Sequence, residues 1–332
     1  MQRVCCGRRA WPIVLVVLLM SSGLLISGAG PAKRTRPFLI GVLSESWGPT
    51  PEVVGMRDGL LALGYREQED FVIGVRFTQG DLAVLPAAAR EFVQHGVDLL
   101  FASNEPPVKA AQLATSQIPI VFAGQVDPLR AGLIQSFARP GGNITGVANL
   151  PLELAPKRLQ IFQEILPGLK RVLYVYDASD AQGVAEAQAY RASARHLQIE
   201  LVEKPVQTQE EAQTTLTQVQ KSEGDGILKP NSLSLNIPGF VLEATVQRGI
   251  PTMFDGAFWT EQGGLASYGP DFYEAGRQAA RLVDKVLKGV KPGEIPVEMN
   301  HKIELVINLK TAEALGLTVA PAALMWADRL IR

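Results

Sequence analysis

The chain has 332 residues, 47% hydrophobic and 20% charged, proportions that exclude a disordered chain and a many-span membrane protein. This length exceeds the size at which a single core stops growing, so two domains are expected. Lys and Arg number 32 against 33 Asp and Glu, and the net charge of −1 excludes nucleic-acid binding by bulk positive charge.

Arg3, Arg8 and Arg9 precede an apolar run, Ile13–Met20, which continues through Ser21–Ile26 to the small residues Ser27-Gly28-Ala29. Residues 1–29 therefore read as a signal peptide and 30–36 as a linker, which implies a periplasmic or otherwise extracytoplasmic location. The apolar run is short for a spanning helix, and an uncleaved anchor is the alternative. Cys5 and Cys6 both lie in this leader, so the remainder has no disulfide, thiolate nucleophile or Cys-based metal site.

Beyond the leader, Pro37–Leu43 is an apolar run of the kind that forms a buried parallel strand. The polar loop Ser44–Pro49 follows, then a helical pattern through Val53, Met56, Leu60 and Leu63 that Gly64 stops. Phe71–Phe77 is a strand, Ala83–Gln94 a helix, Val97–Ala102 a strand, Val108–Thr115 a helix and Ile118–Ala123 a strand. The order then repeats. Strands at Arg171–Tyr176, Ile199–Pro205, Gly226–Lys229 and Ile250–Phe254 alternate with helices at Ala181–His196, Glu210–Lys221 and around Val241–Gln247. Ile118-Pro119-Ile120-Val121-Phe122-Ala123-Gly124 matches Ile250-Pro251-Thr252-Met253-Phe254-Asp255-Gly256 almost position by position. Strands alternating with helices at these lengths mean parallel sheets covered on both faces, and the repeat makes them two similar lobes.

Gly263–Asp271 belongs to neither repeat, and its central run, Leu265–Tyr268, reads as a hinge strand with Ser267 and Tyr268 facing a cleft. A periodic helix, Tyr273–Lys288, a strand, Ile303–Asn308, and a helix, Thr311–Leu315, are too few for a third domain and must complete the two lobes. The fold class is thus α/β, two Rossmann-like doubly wound parallel-sheet lobes joined by a three-strand hinge. Crossings are expected near Asn149–Leu152, near Ser267 and near Gly293–Val297. The N-terminal lobe is 37–148 plus 269–292, and the C-terminal lobe 149–268 plus 293–332.

Open parallel sheets bind ligands at the carboxyl ends of their strands, and in two facing lobes those ends border one cleft. Ser44 and Ser46 offer hydroxyls suited to a carboxylate, and Trp47 a stacking face, or else this loop is a helix cap with a part-buried tryptophan. Asn104, ahead of Pro106-Pro107, is a cap or a ligand contact, and Asp127, ahead of Pro128, is a turn residue or a cleft residue. Asp177 and Asp180 read as helix caps. Asn231 and Ser232 occupy the place in the second lobe that Ser103 and Asn104 hold in the first, which makes them candidate ligand contacts. Asp255 would suit an ammonium group, Phe258 or Trp259 adds apolar contact, and Tyr268 faces the ligand or fills the hinge. No phosphate loop, dinucleotide fingerprint or nucleophile elbow occurs, and His95, His196 and His301 are isolated, so no cofactor, metal or catalytic constellation is expected.

Ile118–Phe122 with Asp127-Pro128, then Ala138-Arg139-Pro140-Gly141-Gly142-Asn143-Ile144-Thr145-Gly146, resemble the TrpX-like family of ABC-transporter substrate-binding proteins. So do Gly263–Pro270 and Lys302–Ala312. The resemblance implies a type I periplasmic-binding fold and a monomer that captures a solute, an amino acid or similar carboxylate, for an ABC permease and its ATPase. It implies contact with the membrane only through the permease or an uncleaved leader. Ser44-Glu45-Ser46-Trp47 and Asn104-Glu105 depart from the family's usual small polar loop and Gly-Thr-like pair. The expectation is a non-enzymatic, exported binding protein, with an extracellular ligand-sensing component of a signalling complex as the alternative.

Overall fold

The computed structural model describes residues 36–332 except Gln125, Leu150 and His301, so the expected signal peptide lies outside the described residues. The first stretch runs β1 (Phe38–Ser44), α1 (Pro51–Ala62), β2 (Phe71–Phe77), α2 (Leu85–Gln94), β3 (Leu99–Ser103), α3 (Glu105–Ala114), β4 (Ile120–Gly124) and β5 (Ile144–Ala148). The second runs α4 (Pro151–Ile165), β6 (Arg171–Asp177), α5 (Ala181–Leu197), β7 (Glu200–Val206), α6 (Gln209–Gln218), β8 (Gly226–Leu228), α7 (Ile237–Arg248), β9 (Thr252–Phe254), α8 (Ala257–Glu261) and β10 (Ala266–Pro270). The last holds α9 (Phe272–Leu287), β11 (Glu298–Met299), β12 (Ile303–Asn308), α10 (Leu309–Ala314), α11 (Pro321–Trp326) and β13 (Arg329–Ile331).

These strands form two sheets, one six-stranded in the order β11-β5-β4-β3-β1-β2 and one seven-stranded in the order β13-β12-β10-β9-β8-β6-β7. From one edge, β2-β1-β3-β4-β5 matches β7-β6-β8-β9-β10, which is the internal repeat expressed as topology. All pairings are parallel except β10 with β12, where the late strand enters from the opposite direction. β3, β4, β5, β8 and β9 are buried along their whole length because helices cover both faces, which is why they read as unbroken apolar runs. Fully buried Phe101, Phe122 and Phe254 each contribute roughly 1.5–3 kcal/mol of transfer free energy.

The chain passes between the lobes three times: between β5 and α4, between β10 and α9, and between β11 and β12. Two boundaries differ from the sequence expectation. Residues 269 and 270 stay on the second sheet, because Gly269 and Pro270 pair with Glu304 and Ile303. Residues 293–299 stay with the first, because Glu298 and Met299 pair with Val147 and Ala148 while Ile295 and Val297 fill that lobe's core. The crossings are laced to one another. Asn300 donates its backbone N–H to Ala148 and its side-chain amide to the Asp271 carbonyl, and Lys302 Nζ lies 2.7 Å from the Asp271 carboxylate.

Helices α1 and α9 pack at backbone distance. A Cβ on Gly276 would sit 2.1 Å from the Glu52 carbonyl oxygen, and one on Gly55 would sit 2.0 Å from that of Tyr273, so only hydrogen fits at either position. This contact fixes the start of α1, and with it Thr50 and Glu52, at the edge of the cleft.

Candidate functional site

Between the carboxyl ends of the two sheets lies a cavity of about 420 Å³, within the roughly 300–1,000 Å³ usual for small-molecule sites. The first lobe contributes the loop Ser46–Glu52, Asn104 and Phe272, and the second contributes Lys229, Asn231, Leu233, Asp255, Phe258 and Trp259, among others. The lobes also meet at the rim, where Trp47 covers Gly80 beside the Leu233 carbonyl.

The first-lobe wall is set by short-range bonding. Ser44 donates to Ser46 Oγ at 3.0 Å, and Ser46 donates to the Gly48 carbonyl at 2.6 Å. Each hydroxyl proton is thereby used inside the loop, which holds its shape with serines rather than presenting donors to a carboxylate. Asn104, the residue ahead of α3, has φ 69° and ψ 169°, a region normally left to glycine, at a cost of about 1–3 kcal/mol. Its Nδ2 donates to Glu45 Oε1 at 3.3 Å. Burial pushes the Glu45 carboxyl up to about 7, against the Asn104 hydrogen bond and the Lys229 charge, with Asp180 adding a like charge. Burial likewise pushes Glu52 up to about 7, against hydrogen bonds at its own backbone and at Thr50, with Asp255 opposite it as a like charge.

The second-lobe wall carries a buried ion pair. Lys229 Nζ lies 2.9 Å from the Asp255 carboxylate, with the two side chains only 1% and 2% exposed, and it also donates to the Asn231 carbonyl at 3.2 Å. Trp259 stacks on Phe254 at 5.9 Å, meets Phe258 edge-on at 5.2 Å, and lies 6.0 Å from Lys229 Nζ, so the cation sits over an aromatic face.

Behind this wall is a fully buried polar chain. Arg158 on α4 donates from Nε to the carbonyl of Tyr268 on β10 at 2.9 Å, and from Nη1 to Glu186 Oε1 and Tyr190 Oη at 3.1 and 2.9 Å. Glu186 on α5 also accepts from Tyr174 Oη and from both the backbone and side-chain N–H groups of Asn231. Burial works against the Arg158 charge, but Tyr190 and Glu186 hold its guanidinium above the ordinary arginine range.

Of the residues expected from sequence, Ser46, Trp47, Asn104, Asn231, Asp255 and Phe258 come together on this cavity. Ser44 is buried behind Ser46. Asp127 accepts from the backbone N–H of Arg130 at 3.1 Å, the turn role of an Asp-Pro pair, and does not line the cavity. Ser267 is buried, and Tyr268 packs on the second lobe's core, so β10 presents neither side chain to the cavity. Asp255 was expected to await an ammonium group and instead faces Lys229. Asp180 caps α5, accepting from the N–H groups of Gln182 and Gly183. Sequence reasoning missed Lys229, Glu52, Phe272 and the Arg158–Glu186 pair. Lys229 had a visible signal, a lysine ending an otherwise apolar strand.

The family whose model is described as "ABC transporter substrate binding protein" matches residues 45–331. The chain belongs to that family. The tyrosine-binding protein of Clostridioides difficile is 27% identical over 255 residues, 76% of this chain and 73% of that protein. Among solved structures, this substrate-binding protein is similar to a conserved domain protein of Vibrio cholerae, with 30% identity, a TM-score of 0.79, and 89% and 100% of the two chains covered. It is also similar to an ABC domain from Streptococcus pneumoniae solved in complex with L-Trp, with 27% identity, a TM-score of 0.78 and the same coverage. The two-lobed architecture is that of type I periplasmic binding proteins. Among the described residues, no helix is long and apolar enough to cross a membrane.

Proposed function

We propose that this protein is the exported solute-receptor of an ABC importer and that it closes its lobes on an amino acid with an aromatic side chain. The carrying observation is the Lys229–Asp255 pair, which offers both signs of charge 2.9 Å apart on one wall of the cavity, beside an aromatic group of Trp47, Phe258, Trp259 and Phe272. A zwitterionic head suits the first feature and a flat apolar side chain the second. The carboxylate takes Lys229, and the side chain lies along the tryptophans. A ligand touching both lobes stabilises the closed form over the open one by its differential affinity. The ligand bound to the Streptococcus pneumoniae structure and the name of the Clostridioides difficile relative support the same class.

The partners are a membrane permease and its ATPase, and the receptor works as a monomer, outside the cytoplasm, without chemistry on its ligand. Calorimetric titration with the twenty amino acids and with sugars tests this reading. Saturable binding of tryptophan, tyrosine or phenylalanine in preference to small or charged amino acids is expected. Binding of a sugar alone, or of no amino acid, refutes it.

A further inference from the structure

Asn231 differs from the other polar residues of the cavity because its amide has only one possible orientation. Its backbone N–H donates to Glu186 Oε2 at 2.8 Å and its Nδ2 to Glu186 Oε1 at 2.6 Å. The same Oε1 accepts from the Arg158 guanidinium at 3.1 Å, and a guanidinium only donates, so Oε1 is an acceptor and the amide must turn its NH2 toward it. Turning the amide over would set oxygen against oxygen in a buried site. The remaining polar atom, Oδ1, is buried and has no hydrogen-bond partner among the described residues, on a side chain that lines the cavity and is 2% exposed. A buried acceptor left unpaired costs about 1–3 kcal/mol, which a ligand donor recovers.

We infer that Asn231 Oδ1 is a fixed acceptor for the ammonium group of the ligand, and that Glu186, itself held by Arg158, is the positioning residue that makes it one. This rests on the amino-acid reading above and deepens it, because it requires a primary amine on the ligand. The clamp also explains why a buried Arg–Glu pair sits behind the site. Arg158 is tied to β10 through the Tyr268 carbonyl and belongs to α4, so the acceptor is referenced to elements that flank two of the three crossings. Glu52 and Asp255 face the same space, but Asp255 already answers the Lys229 ammonium at 2.9 Å.

The test is a binding cycle on the full chain, using L-tyrosine and L-tryptophan as probes together with their deaminated counterparts, 3-(4-hydroxyphenyl)propionate and indole-3-propionate. Against wild type, Asn231→Leu is expected to weaken the amino acids tenfold or more while changing the deaminated acids less than about twofold, the size of a lost hydrogen bond to a charged group. Glu186→Gln is expected to give the same selective loss. Equal weakening of both ligand sets would mean that Asn231 merely shapes the wall, and would overturn the inference. If either variant fails to unfold cooperatively without ligand, a crystal structure of the wild-type complex decides. A ligand nitrogen about 2.7–3.2 Å from Oδ1 supports the inference, and a carboxylate oxygen or ring atom there overturns it. Failure of every amino acid to bind the wild type would overturn the proposed function as well, whereas selective binding that ignores Asn231 overturns this inference alone.

Discussion

Asp255→Ala removes one partner of a pair whose members are 1% and 2% exposed, and leaves the Lys229 ammonium buried against the Asn231 carbonyl and the Trp259 ring without its counter-charge. Breaking a buried pair in this way costs about 3–5 kcal/mol, because the surviving charge keeps its desolvation penalty and loses its compensation. For a chain of this length, about 2.1 cal/mol/K of unfolding entropy per residue turns that loss into a fall of about 4–7 °C in melting temperature. The reverse change, Lys229→Met, removes the positive partner of the buried carboxylate and should cost a similar amount. The double variant Lys229→Met/Asp255→Leu replaces both charges by apolar groups and should recover most of the stability, since such replacements are often neutral or stabilising. Thermal and urea unfolding of ligand-free protein measures all three, and calorimetry should find amino-acid binding lost in every one. A cost below about 1 kcal/mol for Asp255→Ala, or a double variant as unstable as the two single losses added, would mean that the pair is hydrated and would refute the reasoning.

Glu45 and Glu52 are both raised from 4.5 to about 7, so each binds a proton more tightly in the folded state than in the unfolded one. Their contribution, up to roughly 3 kcal/mol each, is fully present below pH 4.5 and is lost as pH rises through 7. Relative to wild type, Glu45→Gln and Glu52→Gln should therefore gain stability steadily between pH 4.5 and 7.5, and a flat difference in chemical denaturation across that range would count against it. Gly276→Ala would place a methyl 2.1 Å from the Glu52 carbonyl, costing about 1–3 kcal/mol or more and weakening ligand although Gly276 does not line the cavity. Gly168→Ala, with no atom within 4 Å, is the control and should change neither quantity. Asn104→Gly relieves a strained backbone and should raise the melting temperature while weakening ligand, and a drop in melting temperature would argue that its bond to Glu45 outweighs the strain.

The two lobes and their shared order of strands were legible because buried parallel strands are unbroken apolar runs and helices end at glycine. Helix α4 was not read as a helix. Pro156 lies inside it, and Arg158, the residue that ties it to the hinge strand, is a charge at a position that faces the core. The β11 pairing was also hidden, since two residues give no periodicity, and the core contacts of Ile295 and Val297 that help hold the chain on the first sheet are not a pattern along the sequence. The cavity loops followed from the rule that ligands sit at strand ends, which brought in Asn104, Asn231 and Asp255. What that rule could not supply was partnership. A lone Asp255 reads as a waiting carboxylate, and its meeting with Lys229 depends on β8 and β9 lying side by side. The hydroxyls of Ser44 and Ser46 look available in sequence, and only geometry reveals that they are spent on each other and on Gly48.

The order in which the strands are laid down has a consequence for biosynthesis. β11, the edge strand of the first sheet, and β12 and β13 of the second all come from the last few dozen residues, as does α9, which packs on α1. Neither body can therefore be finished while the ribosome still holds the tail. A nascent chain stopped at Pro270 would display two unfinished cores at once, and removal of everything after Pro270 injures both bodies rather than trimming one.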